Sequence, residues 1–410
     1  MSLFTRRRLL AVAGGSFATG AAVRPSVVRS TQRLDAGTHV WPGPHGDHRG
    51  TSAVPSTTTP TDVTVAWERE YQTSSVSAVP LALANGTLIV GDRDAVRALE
   101  PTDGSQRWAY ALPHPFADSN FSQRNIVRHP LWVVDDRVLA VFDTNVCALS
   151  LSSGRLQWRV RTNSSIDSAL AAGNTVTFDG RLSGTNALWA LDTETGVERW
   201  TYAVDGDRRL PIAAIDDRLY TVRFRYGDRW TVASHNLETG AVDWRETLEG
   251  RLLASGPRAA VTADGLYAGA ESLVALDRDG TQRWQAEFGT EFGRALAVAH
   301  DLVFATDVDA SEVVALEAAT GDPRWTTSVS TLARPGGLSV DADTVYVSTT
   351  DGFRALEVTT GEERFRFDGA STANSDTTTN PTASGPVIPT TDRLYQSVGD
   401  RVYALEGQRT

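Results

Sequence analysis

Short apolar, β-rich runs separated by turns make up most of this chain. Runs such as 87–90, 264–267 and 344–347 are each introduced by a turn that contains Asn, Asp or Gly. Such runs bounded by turn residues are typical of β-strands. No stretch between residues 62 and 407 has a convincing helical period. The pattern therefore predicts an all-β domain with little helix.

An aromatic residue recurs along the chain at a nearly constant interval. The successive gaps are 41, 50, 42, 44, 40, 41 and 40 residues, and the positions are Trp67, Trp108, Trp158, Trp200, Trp244, Trp284, Trp325 and Phe365. A period near 41 indicates a repeat architecture, in which each unit buries its apolar face against its neighbours. We expect each ring to begin an outer strand and to fill the gap between adjacent sheets.

Each aromatic closes a shared phrase, of which Ala-Leu-Asp-Thr-Glu-Thr-Gly-Val-Glu-Arg-Trp (190–200) is the cleanest copy. The phrase is typical of strand, turn, strand, with its glycine where a tight turn requires a positive φ. Four strands in about 41 residues make one blade of a β-propeller. A solenoid is disfavoured because so many short strands per period suit a radial blade better.

The two ends of the repeat region complement each other. An eighth phrase opens at 402–406, but the sequence ends at Thr410 before a tryptophan follows. Residues 63–68 form an outer strand with no phrase before it. We therefore predict an eight-bladed propeller of four-stranded antiparallel blades, closed by the N-terminal strand so that no sheet edge stays free.

The phrase resembles the tryptophan-docking repeat of pyrroloquinoline-quinone-type propellers, over residues 62–407, and residues 41–51 resemble the lead-in of these proteins. The resemblance implies either a quinone-dependent dehydrogenase or a non-enzymatic scaffold of the BamB-like branch. The dehydrogenases are longer, and they have adjacent disulfide-bonded cysteines, a calcium ion and an aspartate base. Cys147 is the single cysteine, so that disulfide is excluded and we expect no bound quinone. We expect Cys147 itself to be a buried small apolar residue.

Two kinds of metal ligand are present in incomplete patterns. Residues 307–312 and 92–94 resemble calcium loops without the full ligand spacing. Possible donors in the lead-in are His39, His45, Asp47 and His48. They lie in a Gly/Pro-rich stretch for which we expect no fixed geometry, so we predict neither bound calcium nor another metal.

The N-terminal residues have the pattern of an export signal. Thr5–Leu10 contains three arginines and precedes a Gly/Ala-rich apolar stretch, as in twin-arginine signals. We assign residues 1–22 to this signal and 23–61 to an irregular lead-in or linker; a permanent membrane anchor is the alternative. Because Trp41 lies in the linker, we expect Trp41→Ala to leave stability nearly unchanged.

Composition indicates the setting in which the protein works. All 39 basic residues are arginine, against 50 acidic residues and a net charge of −11. An acidic, lysine-free composition is typical of a halophilic archaeon with a GC-rich genome, and a GC-rich bacterium is the alternative. The acidic balance argues against nucleic-acid binding.

Two segments on the predicted channel-mouth face contain aromatic residues and arginines, and the first of them accounts for most of the 50-residue gap. They are residues 109–127 and 223–230, in which we predict partner-binding anchors at Phe116, Phe121, Arg124, Arg225 and Trp230. We expect a monomeric, non-enzymatic scaffold, exported by the twin-arginine route to the cell surface or beyond, that binds a protein or a surface polymer. The alternative is an extracellular enzyme, such as a quinoprotein-like oxidoreductase, with a divergent cofactor or carbohydrate site in the channel.

Overall fold

A computed structural model describes most of the chain from residue 41 onward. The described ranges are 41–54, 60–71, 78–92, 95–111, 131–142, 144–162, 164–182, 184–204, 206, 208–223, 229–250, 258–269, 272–287, 292–333, 336–369 and 383–408. Within them all regular structure is β-strand, which confirms the all-β prediction. Across the same ranges there is no helix of the length and apolarity needed to cross a membrane. The predicted twin-arginine segment lies outside the described residues.

The described strands form eight four-stranded antiparallel sheets, as predicted. The strand that closes the ring is β1 (Asp62–Glu70). Blade 1 consists of β2 (Leu81–Ala84), β3 (Thr87–Gly91), β4 (Ala95–Leu99) and β5 (Gln106–Ala111), and blade 2 of β6 (Trp132–Val134), β7 (Arg137–Phe142), β8 (Asn145–Ser150) and β9 (Leu156–Arg161). Blade 3 consists of β10 (Ala169–Ala172), β11 (Thr175–Leu182), β12 (Thr185–Asp192) and β13 (Glu198–Val204), and blade 4 of β14 (Arg209–Ile215), β15 (Arg218–Arg223), β16 (Arg229–Asn236) and β17 (Val242–Glu249). Blade 5 consists of β18 (Arg258–Thr262), β19 (Gly265–Gly269), β20 (Ser272–Leu276) and β21 (Gln282–Glu287), and blade 6 of β22 (Phe292–Ala299), β23 (Leu302–Asp307), β24 (Glu312–Glu317) and β25 (Pro323–Ser328). Blade 7 consists of β26 (Leu338–Val340), β27 (Thr344–Thr349), β28 (Gly352–Glu357) and β29 (Glu363–Asp368), and blade 8 of β30 (Ile388–Pro389), β31 (Arg393–Val398) and β32 (Arg401–Gln408) together with β1. The first strand of each blade in chain order, β30 in blade 8, is its inner strand.

The eighth blade joins the two ends of the ring. β1 pairs antiparallel with β32, from Asp62 opposite Gln408 to Glu70 opposite Arg401. Arg401 also forms an ion pair of 3.0 Å with Glu68. The N-terminal strand therefore supplies the outer strand of the last blade, and the predicted closure is confirmed.

The repeated tryptophans join neighbouring blades, as the period predicts. The Nε1–H of Trp108 donates a hydrogen bond of 2.8 Å to the carbonyl of Leu151 in the next blade. The six other repeated tryptophans make the same bond at 2.8–3.0 Å, to Pro101, Thr193, Leu237, Arg278, Ala318 and Val358. Each ring thus buries its apolar surface between two sheets and satisfies its one polar group there.

The phrase glycine is required for two reasons. Gly196 has a φ of 69°, a conformation that glycine adopts at little cost. A Cβ atom at this position would also lie 2.7 Å from the ring of Trp158, which packs from the preceding blade. The phrase aspartate and threonine hold the same turn, because Asp192 Oδ1 accepts the N–H and hydroxyl hydrogens of Thr195, both at 2.9 Å.

Phe365 takes the tryptophan position at the seam of the ring. It faces blade 8, where β32 pairs with β1 and does not lead into a phrase turn. The carbonyl that accepts the indole N–H elsewhere belongs to that turn. Phe365 packs instead against Tyr346 and Phe353, with ring centroids 6.4 and 6.0 Å away. A ring without a polar group suits this position because it needs no acceptor.

Candidate functional site at the ring axis

The lead-in, residues 41–54, lies across one end of the central channel. Its first part pairs with blade 1, where the Trp41 N–H donates to Leu83 O at 2.7 Å and the Leu83 N–H donates back at 2.9 Å. The Val133 N–H of blade 2 donates to Pro42 O at 2.7 Å. The segment therefore begins as a short addition to two inner strands.

The second part of the lead-in contacts blades 4 to 7 in the same way. One N–H of each inner strand donates to a lead-in carbonyl at 2.8–2.9 Å: Ala214 to His48, Val261 to Arg49, Val298 to Thr51 and Val340 to Ser52. The Val54 N–H donates to Val340 O at 2.9 Å. These contacts lie near the C-terminal ends of the inner strands. Residues 41–54 contain no regular strand, but these hydrogen bonds give them a definite geometry that the Gly/Pro-rich pattern did not indicate.

Trp41 belongs to the core. Its side chain is 1% exposed and packs in a cluster that includes Leu83, Leu99 and Tyr395 of blades 1 and 8. The premise that Trp41 lies in a linker outside the core is therefore wrong, and we now expect Trp41→Ala to reduce stability. A sequence pattern rich in Gly and Pro resembles a linker, whereas here it allows the main chain to approach the inner strands closely.

The lead-in donors are already engaged in structure. Asp47 Oδ1 accepts the N–H groups of Arg49 and Thr51 at 3.1 and 3.2 Å. Burial lowers the pKa of His48, although the nearby carboxylate of Asp47 acts in the opposite direction. His39 lies outside the described residues. Asp47 therefore stabilises the turn that leads to Thr51.

A buried carboxylate lies near the other end of the channel. Asp179 of β11 is 1% exposed, and its Oδ1 accepts the N–H groups of Asp167 and Ser168, both at 2.8 Å. Burial raises the pKa of Asp179 to about 6, although its ion pair with Arg208 lowers it. The Ser168 hydroxyl donates to Pro211 O of blade 4 at 2.9 Å. This group joins blades 3 and 4, and it could exchange a proton near pH 6.

Sequence reasoning missed this group because its members are far apart along the chain. Asp167, Asp179 and Arg208 meet only where blade 3 packs against blade 4. A carboxylate in the middle of an apolar strand was the one available indication.

A buried histidine occupies the interior of blade 4. His235 Nδ1 lies 3.2 Å from Gly240 O, and Nε2 lies 3.0 Å from Thr221 Oγ1. Because a carbonyl only accepts, Nδ1 holds the proton and Nε2 accepts from the threonine hydroxyl. Arg209 in turn donates to Thr221 Oγ1 at 3.0 Å. Burial lowers the pKa of His235 to about 4, so the ring is neutral at neutral pH.

We predict that His235 makes the protein less stable in mild acid. In the unfolded chain the imidazole has a pKa near 6.5, so protonation favours unfolding as the pH falls from 6.5 towards 4. Between pH 7 and 5 the wild type should lose about 1–2 kcal/mol more unfolding free energy than His235→Gln does. Urea titrations of both proteins at the two pH values measure this difference. Because the pKa of Asp179 is raised in the folded protein, its protonation stabilises the fold as the pH falls. This contribution is the same in both proteins, so it cancels in the comparison. Equal losses would mean that His235 titrates normally in the folded ring.

The predicted partner anchors have different outcomes. Phe116, Phe121, Arg124 and Arg225 lie outside the described residues. Trp230 is 1% exposed; it lies opposite Leu248 in the sheet and packs in the core between blades 4 and 5. The prediction of Trp230 as an exposed anchor is therefore wrong, because its position in β16 directs the ring inward.

The residues considered for metal or cofactor chemistry lie apart from one another in the part of the chain that the structure describes. In these ranges, no group of three or more His, Cys, Asp or Glu side chains is placed to hold a metal ion. Cys147 is buried in blade 2, and burial raises its pKa to about 12. In the acidic loop that resembles a calcium site, Asp307 Oδ1 accepts the N–H of Ala310 at 3.0 Å.

Solved structures with a similar fold include both branches that the sequence suggests. BamB from Moraxella catarrhalis has 19% identity and a TM-score of 0.59, covering 84% of this chain and 99% of that one. Quinohemoprotein alcohol dehydrogenase ADHIIG from Pseudomonas putida HK5 has 12% identity and a TM-score of 0.68, covering 91% and 81%. A europium-containing methanol dehydrogenase has 11% identity and a TM-score of 0.66, covering 90% and 98%. At these identities the likeness shows the fold alone.

Comparison with family models gives a more specific result. No curated protein matches the sequence. The model described as outer membrane protein assembly factor BamB matches residues 50–202, 143–273 and 228–409, which together cover most of the chain. The repeat phrase and the blades it builds agree with this match. The chain therefore belongs to the PQQ-like repeat β-propeller family that this model represents.

Proposed function

We propose that this protein is a non-enzymatic scaffold that binds a protein or a surface polymer. The observation that carries the proposal is the state of the ring interior. One end of the channel is occupied by the chain's own lead-in. Near the other end, the charged side chains of Asp179 and Arg208 pair with each other and join two blades. Because the chain's own residues fill or pair at both ends of the channel, we expect partners to bind at the surface of the protein and not inside the channel.

The family gives the proposal its second support. The matching model is described as an assembly factor, and assembly factors act by binding other proteins. We further propose export by the twin-arginine route and a place at the cell surface, since residues 5–15 have the composition of such a signal.

We place the binding surface at the channel end opposite the lead-in. Outer strands end on this side and inner strands begin there, as with β5 at Ala111 and β6 at Trp132. The segment between these strands contains the predicted anchors Phe116 and Phe121. Aromatic and arginine side chains carry much of the energy at protein interfaces.

The competing function is oxidation by a quinone enzyme, which the fold of the alcohol dehydrogenase neighbour suggests. An absorbance spectrum of the protein purified from its native host separates the two. A scaffold shows only the aromatic protein band, whereas a bound quinone adds absorbance at longer wavelength. A stoichiometric quinone band would overturn the proposal.

A pull-down at matched salt tests the binding surface. We expect Phe121→Ala with Arg225→Ala to lose the partners that the wild type recovers. The control is Val197→Ala with Arg324→Ala, which replaces exposed side chains near the opposite end. If the first double variant folds normally and keeps its partners, the binding surface lies elsewhere.

A further inference from the structure

We propose that the axial end of the ring is a peptide-binding site, and that residues 41–54 occupy it as an intramolecular ligand. The class of ligand is an extended, glycine-rich peptide that begins with Trp-Pro. This proposal does not depend on the partner of the scaffold. It rests on how the inner strands and the lead-in contact each other.

The inner strands present a converging set of main-chain donors. Six of them, in blades 1, 2, 4, 5, 6 and 7, each direct one N–H at a lead-in carbonyl, at 2.7–2.9 Å. Only Trp41 and Val54 donate in the return direction among the described contacts. Recognition through main-chain bonds to strands is the mode by which extended peptides add to sheets. The ring therefore holds the segment chiefly by its backbone.

Small residues allow the backbone to come this close. A Cβ atom on Gly43 would lie 2.3 Å from the ring of Trp132. A Cβ atom on Gly50 would lie 2.3 Å from the carbonyl oxygen of Ala259. Trp132 and Ala259 thus select glycine at two fixed positions of the ligand, and the buried Trp41 ring anchors its start.

The strand pairing of the eight sheets is complete without this segment. The ring closes through β1 and β32, and the repeated tryptophans join its blades. The lead-in adds to inner strands that already pair within their own blades. Because the N–H donors belong to the inner strands, they stay in place when residues 41–54 leave, and the segment can bind to them again.

The test uses the full chain with a protease cleavage site introduced between residues 55 and 59. After cleavage, a fluorescent synthetic peptide of residues 41–54 is added and its anisotropy is followed. We expect the labelled peptide to replace the cleaved segment, saturably and at one peptide per ring. Near-ultraviolet circular dichroism monitors the fold of the ring throughout.

Peptide variants test the specificity. A peptide with Gly43→Ala and Gly50→Ala should bind about ten- to a hundredfold more weakly, because the new methyl groups would clash with the Trp132 side chain and with the carbonyl oxygen of Ala259. Pro44→Ala is the matched control, because proline has no N–H to lose and the substitution leaves the hydrogen bonds of the segment intact. We expect this control to bind like the original.

Three results would overturn the proposal. The ring unfolds after cleavage, which would make the segment part of the fold and not a ligand. The ring stays folded but takes up no labelled peptide. The peptide binds, but the alanine variant binds as tightly, which would mean that Trp132 and Ala259 do not read the glycines.

Discussion

Replacing Trp200 with alanine is expected to lower the free energy of unfolding by about 3–5 kcal/mol, as large aromatic deletions in cores do. The ring is buried between blades 3 and 4, and its Nε1–H donates to Leu237 O at 2.9 Å. It also packs against Gly240 of the next phrase. The variant therefore loses apolar burial, a hydrogen bond and the contact between two blades at once. Denaturant unfolding followed by circular dichroism measures the change.

Two further substitutions sharpen this test. Val197→Ala in the same phrase is the control, because Val197 is 63% exposed and its loss should change stability by less than about 0.5 kcal/mol. Trp41→Ala should be costly like Trp200→Ala, since Trp41 is 1% exposed in the core. A small effect of Trp200→Ala would show that the blades do not depend on the repeated rings.

Removing β1 is expected to abolish soluble, cooperatively folding protein. A truncation of residues 1–71 leaves β32 as an open sheet edge and uncovers the phrase turn around Gly104, on which Trp67 packs. An open, apolar edge promotes association between molecules. Size-exclusion chromatography and thermal unfolding measure the outcome.

Shorter truncations locate the cause. Removing residues 1–40 should leave a normal ring, because it keeps both the lead-in contacts of residues 41–54 and the whole of β1. Removing 1–61 keeps β1 and should give a folded but less stable ring that lacks the lead-in. If the truncation of 1–71 stays monomeric and unfolds cooperatively, the ring closes by some other pairing.

The blades could be predicted from the sequence because the contacts between them repeat along the chain. Each repeated tryptophan meets a carbonyl and a glycine of the next phrase, as Trp158 does with Thr193 and Gly196. A repeated contact leaves a repeated pattern. The exception at Phe365 has a local cause, because residues 406–408 pair with β1 where the other phrases form a turn.

The axial contacts could not be predicted in the same way. The lead-in binds through main-chain groups, which have no side-chain pattern, and its partners range from Leu83 to Val340. The exposure of Trp230 was predicted wrongly because the sequence of a strand does not show which of its two faces packs against the neighbouring blade. The pairing of Asp179 with Arg208 depends on two blades packing together.

The pairing of β1 with β32 has a consequence for biosynthesis. Glu68 and Arg401, which meet in this blade, are 333 residues apart. At translation rates of 5–20 residues per second, β1 leaves the ribosome about 15–70 s before its partner is made. During that interval Trp67 and the edge of β1 have no native neighbour within blade 8. The ring can therefore close only after translation has passed β32, and blade 8 is the one blade whose strands are not made consecutively.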